Sequence, residues 1–313
     1  MALREIIGQD RALRILFGTL KRNRVPSAIL LSGDAGIGKR LAAVNYAKAI
    51  NCLEPVDFDC CGKCISCKKI DSENHPDIST IVPENDLISI ETIRKIEETI
   101  SLRPFEGRKK VVIIDDADAM NIYAANAFLK TLEEPPEDSL IMLISSNPDR
   151  LPDTIRSRCI NVRFYPLPSD GCREVVSKNI DAKNMKFILN LAMGRPGLAI
   201  SRDFEKENEW FAKLLNNMVQ GESKDTWADK SEIKLWLDMA FILLRDMAVY
   251  KITERESDLM LDKKQLAMKG QGIRSILDTY QDMQQVKGLL DFNLNKSITW
   301  NYVASIMRKC VNE

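Results

Sequence analysis

The sequence predicts a parallel α/β domain of the phosphate-loop type, followed by a small helical unit and an all-helical C-terminal region. Three observations carry that prediction. The apolar run Ala28-Ile29-Leu30-Leu31 ends in a glycine-rich turn, and Leu41 to Ile50 behind it has helical composition. Two further apolar runs, Val111 to Ile114 and Leu140 to Ile144, end in polar residues, as buried parallel strands do at a ligand-facing rim. From about Glu207 the apolar spacing is helical only.

Composition sets the bounds. The chain has 313 residues, 45% of them hydrophobic, enough for two or three domains of ordinary size. No apolar run approaches the roughly 20 residues that span a bilayer, and Met1 to Glu5 lacks the apolar core of a signal peptide. A soluble, cytoplasmic protein without a membrane partner is therefore expected. Lys plus Arg and Asp plus Glu both number 45, so the formal net charge is zero. That argues against a protein that grips nucleic acid alone through a broad basic field, while leaving room for local contacts or a basic surface shared with partners.

Residues 1–27 read as an introductory helix and its lead-in, with Ala12, Leu13, Leu16, Phe17 and Leu20 on one face. The strand Ala28 to Ser32 then enters the turn, where Gly33, four residues, Gly38 and Lys39 give the spacing GxxxxGK, with Gly36 inside it. The amides of such a turn point at phosphate oxygens, a helix N-terminus stands behind them, and the lysine supplies a point charge. The next residue is ordinarily Ser or Thr, whose hydroxyl binds Mg²⁺. Here it is Arg40, which cannot ligate a metal. ATP with Mg²⁺ is thus a candidate ligand whose binding and hydrolysis have to be judged separately.

After the phosphate-loop helix come Cys52, Cys61, Cys64 and Cys67, spaced C-x8-C-x2-C-x2-C. Each C-x2-C step aims two thiolates at one ion, and four satisfy tetrahedral Zn²⁺ with no position left for water, so a structural Zn²⁺ is expected. Such clustering in a reducing compartment reads as metal rather than disulfide. Cys60 and the single histidine, His75, are rival ligands. Cys61 is preferred to Cys60 because Gly62 behind it allows a tight knuckle.

Ile78 to Val82 reads as a strand, and Ile90 to Leu102 as a helix with Ile93, Ile96 and Ile100 on one side. The strand Val111 to Ile114 ends in Asp115 and Asp116. Asp115 is placed to hold a Mg²⁺ shell through water. Asp116 is placed to orient an attacking water, although its side chain is one methylene shorter than that of Glu. A helix is expected over Ala117 to Glu134, stopped by Pro135-Pro136. The strand Leu140 to Ser145 ends in Ser146 and Asn147, either of which could touch a γ-phosphate or the attacking water. Leu151 to Ile155 reads as a helical turn, Arg156-Ser157-Arg158-Cys159 follows, and Ile160 to Phe164 is a strand that ends before Pro166-Leu167-Pro168. The expected domains are 1–167, nucleotide-binding in type with the cysteine module at 52–67; 168–206, a helical unit with Gly194 to Gly197 as its internal turn; and 207–313, a helical oligomerisation domain. In the last, Trp236, Met239, Ala240, Leu243, Leu244 and Met247 make a stripe broader than one helix needs, which suggests a bundle with a subunit interface.

These residues resemble the AAA+ clamp-loader subunits of bacterial DNA polymerase III, and more narrowly their delta-prime type. The resemblance covers residues 1–200 and continues as a matching helical layout. It rests jointly on Ile7-Gly8-Gln9, on the cysteine cluster after the phosphate-loop helix, on Asp115 to Asp118 leading into Ala124 to Pro136, and on Ser157-Arg158-Cys159. It implies a small helical lid at 168–206 and a C-terminal collar at 207–313. It further implies a subunit of a hetero-pentameric ring with gamma/tau and delta, acting on the sliding clamp and on primer–template DNA held through the complex. Carried over, Arg158 would be an arginine finger acting in trans on a neighbour's ATP, and Ser146 or Asn147 would hold the first sensor position. Motor subunits of the family have Ser or Thr after the loop lysine, Glu as the second acid and a lid arginine that reads γ-phosphate. Here those positions are Arg40, Asp116 and Gly197, with Arg195 offset. The implied protein is a stator with weak or no hydrolysis of its own. The alternative is a gamma-like motor ATPase, favoured by Gly33, Gly38 and Lys39 and disfavoured by those three departures; no long tau-type extension follows the helical region. An AAA+ protein of recombination or repair is a third reading, against which the cysteine cluster and the Ser-Arg-Cys element stand.

Overall fold

Alternation along five short strands decides the architecture. The structure, a computed structural model, describes residues 1–181, 185–221, 227–261, 272–291 and 295–312. Its strands are β1 (Ala28–Ser32), β2 (Ile78–Ile81), β3 (Lys110–Ile114), β4 (Ser139–Ser145) and β5 (Ile160–Arg163). They form one parallel sheet in the order β2-β3-β4-β1-β5. Successive side chains point to opposite faces, and both faces are covered, which is why β1, β3 and β4 are apolar almost throughout. Ile29, Leu31, Val111, Ile113, Met142 and Val162 pack with α1 (Asp10–Lys21) and α2 (Lys39–Asn51) on one face. Leu30, Val112, Ile114, Ile141 and Leu143 pack on the other with α4 (Ile90–Ile100), α5 (Ile122–Glu133) and α6 (Asp153–Arg156). Between α2 and β2 lies α3 (Ile65–Asp71), which carries the end of the cysteine cluster.

The helix expected over Ala117 to Glu134 is broken in two. Ala117–Ala119 is a single 3-10 turn, Met120 is extended, and Asn121 starts α5 by accepting from the Ala124 amide at 2.8 Å. The break pairs the Ile88 amide with the Ala119 carbonyl at 3.0 Å, a tertiary bond that an uninterrupted helix would forgo. The expected turn at Leu151 to Ile155 begins two residues later, as α6.

Beyond β5 come α7 (Ser169–Asn179), α8 (Met185–Ala192), α9 (Pro196–Ser201), α10 (Phe204–Gln220), α11 (Lys230–Thr253), α12 (Ile273–Gly288) and α13 (Lys296–Asn312). The chain divides into two compact units, Met1–Ala182 with Ala192–Ser201, and Lys183–Leu191 with Arg202–Glu313. In the second unit Trp227 packs against Trp236 and Trp300, with ring centroids 5.6 and 4.8 Å away, and Phe211 meets Trp236 at 5.4 Å. The broad stripe of α11, from Trp236 to Met247, is buried within the chain. Among the described residues no helix is long and apolar enough to cross a membrane.

One buried carboxylate joins the entry of β2 to the loop before β3. Asp77 accepts from the amides of Phe105, Glu106 and Gly107 at 2.7, 2.8 and 2.7 Å, and Lys110 lies 3.9 Å away. Burial opposes its ionisation, but the three amides and Lys110 outweigh it and hold the carboxyl below its usual range. An Asp77→Asn substitution is expected to cost roughly 2–4 kcal/mol, because an amide cannot accept all three bonds as an anion does. The sign of the pH dependence follows. The lowered folded-state pKa makes the stabilisation complete above about pH 4, the unfolded value, and removes it as acid titrates the folded carboxyl. Melting curves of the two proteins should therefore differ by a constant amount near neutrality and converge on acidification.

Candidate functional site

The C-terminal ends of β1, β3 and β4 face one cavity of about 790 Å³, lined by Ala35 to Leu41, Asp115, Asp116, Ser146, Gly197 and the apolar Ile6, Ile7, Leu167 and Val175. Gly38 caps α2 in a left-handed conformation, so the chain turns sharply and leaves the first amides of the helix without intrahelical partners. Lys39 is buried, and its ammonium donates to the carbonyls of Gly33 and Asp34 at 2.5 and 2.6 Å and to Ser146 Oγ at 3.2 Å. Desolvation lowers its pKa, with Asp115 and Asp116 opposing the shift. Ser146 thus reaches the lysine, whereas Asn147 is exposed and lines a neighbouring hollow with Ser32 and Asn161.

Arg40 takes a specific place. Its guanidinium lies 3.5 Å from Asp115 Oδ2 and 3.3 Å from Glu73 Oε1. The acid expected to hold a Mg²⁺ shell thus has a half-exposed guanidinium 3.5 Å away, and the loop offers no hydroxyl after its lysine. The glycine turn and Lys39 fit a phosphate; the residues around Arg40 do not fit Mg²⁺. Asp116 is left-handed, with φ 47°. Partial desolvation at the cavity mouth, then Asp115 and Asp118 nearby, raise its pKa, and Lys39 counters them. Asp118 itself accepts from the Ser146 amide at 3.2 Å, which ties the ends of β3 and β4 together.

The place that the resemblance sets against a motor subunit's sensing arginine is occupied here by backbone. The Gly197 amide, in the first turn of α9, donates to the Gly36 carbonyl at 2.8 Å. A Cβ on Gly197 would stand 2.8 Å from that oxygen and 3.0 Å from Gly36 Cα. An arginine there would force α9 off the loop, so glycine at this position and the close approach of α9 belong together. The Arg195 Nε donates to the Ala192 carbonyl at 3.1 Å rather than into the cavity.

Arg158 lies elsewhere. It precedes Ile160, which pairs with Ile29 near the start of β1, whereas the phosphate loop begins at Gly33. At about 3.3 Å per residue that separation is roughly 13 Å along the strand before Arg158 itself is reached, so its guanidinium belongs to the opposite rim of the sheet. It is surface-exposed, donating to Glu133 Oε1 at 2.5 Å and to the Thr154 carbonyl at 2.8 Å.

The four cysteines come together. The Sγ atoms of Cys52, Cys61, Cys64 and Cys67 all lie within 4.8 Å of one another. Cys52 is 3.9 Å from Cys64 and 3.7 Å from Cys67. A tetrahedral ion with bonds of about 2.3 Å needs sulfur–sulfur separations of about 3.8 Å. The cluster is therefore geometrically able to hold a metal ion. Amides of Lys63 and Cys64 point at Cys61 Sγ at 3.4 and 3.3 Å, and the Cys67 amide points at Cys64 Sγ at 3.5 Å. Burial opposes ionisation of Cys64, but the amides of Cys67 and Leu53 prevail and bring its thiol down to about 6. Cys60 stays outside the group, with Sγ 3.8 Å from the Met1 carbonyl. His75 is also outside: its Nε2 is 3.2 Å from Ser66 Oγ and its Nδ1 accepts from the Asp77 amide.

Three participants have partners that the sequence does not reveal. Glu73 and Glu133 hold the two special arginines from distant parts of the chain; Glu73 belongs to no local pattern, and Glu133 lies in the Ala124 to Pro136 stretch without any sign there of its bond to Arg158. Asp59, buried, accepts from the amides of Leu3, Arg4 and Cys60, tying the N-terminus to the cysteine module.

Comparison with known proteins adds four likenesses. The family described as DNA polymerase III, delta subunit, matches residues 8–168. DNA polymerase III subunit delta' of Bacillus subtilis is 30% identical over 305 residues, spanning 92% of this chain and 92% of its own length. DNA polymerase III subunit tau/gamma of Haemophilus influenzae is 33% identical over 183 residues, spanning 58% of this chain but 26% of that longer relative. Among solved structures, a gamma subunit-related protein of Thermotoga maritima superposes with a TM-score of 0.51 at 21% identity, over 95% of this chain and 99% of that one, a likeness of fold.

Proposed function

Because the chain belongs to the AAA+ clamp-loader family of bacterial DNA polymerase III, we propose that it is the delta-prime-like stator of that multi-subunit complex. In this reading it joins gamma/tau and delta subunits in a hetero-pentameric ring that loads the sliding clamp onto primer–template DNA. The single observation that carries the non-motor role is the Arg40–Asp115 pair. Hydrolysis needs a metal held between the loop and the strand acid, and a base that orients water. Here a guanidinium engages that acid, and the short Asp116 stands where a longer Glu serves better.

Arg158 supplies what the partner needs. A guanidinium is permanently charged and presents forked donors suited to a γ-phosphate. Its position on the rim opposite its own phosphate loop favours service to a neighbour's nucleotide. The exposed bond to Glu133 is inexpensive to exchange, since such pairs contribute about 1 kcal/mol or less. Cys52, Cys61, Cys64 and Cys67 hold a structural Zn²⁺, which leaves no ligand position for catalysis. Primer–template DNA is met through the assembled ring, largely along its backbone.

A gamma-like motor is the second reading, favoured by the intact glycine turn and Lys39. ATP turnover by the purified chain separates the two. The stator reading expects a rate far below 1 s⁻¹, and turnover of about 1 s⁻¹ or above, within the ordinary enzyme range, would overturn it. Co-purification with the other loader subunits is expected alongside.

A further inference from the structure

We infer that one face of α1, with the turn that ends it, is a binding surface for the phosphate backbone of nucleic acid, read by charge and not by sequence. The inference goes beyond the stator reading and does not depend on it. A hollow of about 640 Å³ is lined by four arginines, Arg11, Arg14, Arg22 and Arg24, and by no acid. All four are exposed, and among the described residues none of them is in an ion pair. From Ile6 to Gly33 the sequence holds five basic residues and a single acid, Asp10. That acid meets Arg14 Nε through its backbone carbonyl, at 3.3 Å. Arg40 and Arg158 each lie against a carboxylate, whereas these four keep their donors for a ligand.

Local geometry brings the four together. Arg11, Arg14 and Arg22 fall on one side of the helix by their spacing. Beyond them Asn23 is left-handed, with φ 51°, and the amides of Asn23 and Arg24 donate to the carbonyls of Leu20 and Thr19, both at 3.0 Å. This closure folds the chain back on the helix end and sets Arg24 beside the same hollow. Gly18 is the floor, four residues from both Arg14 and Arg22, and a Cβ there would meet nothing within 4 Å. The hollow shares no residue with the phosphate-loop cavity, and α1 covers the sheet face opposite α4, α5 and α6.

The ligand follows from length and lining. From Arg11 to Arg22 the surface runs about 16 Å at ~1.5 Å per residue, alongside roughly five phosphates of one strand at ~3.4 Å each. A lone phosphate or nucleotide leaves most of it unused. Ile15 is the one apolar side chain in the lining, and no aromatic ring is present. A protein partner needs an apolar centre, and unpaired bases gain from stacking on rings; neither finds its footing here. Guanidinium forks match phosphate oxygens, and a duplex carries more charge per unit length than one strand.

Fluorescence anisotropy of a labelled duplex of mixed sequence, titrated with the full chain, tests this. At about 50 mM salt a Kd of roughly 1–100 µM is expected, with a slope of log K against log salt of about −3 to −4 for four phosphate contacts. A single strand of the same length should bind no more tightly, and polyglutamate of equal charge at least ~10-fold more weakly. Gly18→Glu places a carboxylate between Arg14 and Arg22 and should weaken duplex binding at least ~10-fold. Gly18→Gln, of similar size without the charge, should stay within about 3-fold, and Arg22→Ala should make the slope shallower by about one. Glu and Gln are better helix formers than Gly, so neither exchange should lower the melting temperature. Unchanged duplex affinity in the Gly18→Glu chain, or no binding below about 1 mM at low salt, would overturn the inference. So would polyglutamate binding as tightly as the duplex, which would assign the surface to an acidic protein segment. None of these results bears on the stator reading, which ATP turnover and co-purification test separately.

Discussion

An Arg158→Ala substitution made in this chain only is expected to silence the neighbouring ATP site in the assembled loader. Arginine fingers contribute about 10³–10⁵-fold to turnover, so the neighbour's share of DNA-stimulated hydrolysis should fall by at least about 10³-fold. The side chain is exposed and bonded to Glu133 and the Thr154 carbonyl, so its loss should leave the fold and the assembled complex intact. Arg158→Lys should not rescue the rate, because an ammonium lacks the planar fork. Glu133→Gln removes the ionic partner in the same chain and should leave hydrolysis at or above its original level. Comparison of assembly by pull-down with steady-state ATPase rates gives the answer: a complex that assembles normally and keeps full DNA-stimulated turnover without the guanidinium would refute the trans role.

Loss of one cysteine ligand should have the next largest effect, this time on stability. Cys64→Ser is expected to abolish the binding of one zinc per chain, measured by metal analysis. A ligand present at 100 to 1,000 times its dissociation constant stabilises a fold by about 3–4 kcal/mol. In a chain of this size that corresponds to a fall in melting temperature of roughly 5–15 °C. The damage should be local. The cluster of Cys52, Cys60 and Cys67 is separate from the two cores that cover the sheet. Amide exchange should accelerate from Cys52 to about His75, and at Leu3 and Arg4, which Asp59 ties to the module. The strands should keep their protection. A natural chain that carries no zinc, or a variant with unchanged exchange across this segment, would contradict the assignment.

Short spacings make much of this protein legible in its sequence. The glycine turn, its lysine and the helix behind it lie within one local stretch, and their chemistry depends on neighbours along the chain. The same holds for the knuckle of Cys61 and Cys64, where the amides that point at sulfur come from the same turn. Asn121 shows the limit: the helical composition of Ala117 to Glu134 is continuous, yet a bond from Ile88 breaks the helix. Arg40 is visible as a departure from the phosphate-loop pattern, but its meaning depends on Asp115 and Glu73, which approach from the end of β3 and from the turn after α3.

By itself, then, the sequence determined the α/β class, the phosphate loop, the thiol set and the helical C-terminal region. Each of these follows from periodicity or spacing within a few turns of chain, where geometry is set by local backbone rules. Tertiary structure alone decided the strand order β2-β3-β4-β1-β5, the placement of Arg40 beside Asp115, the approach of Gly197 to Gly36, and the rim on which Arg158 stands. Those depend on which crossovers bring distant strands and loops side by side, and residue periodicity carries no record of that pairing.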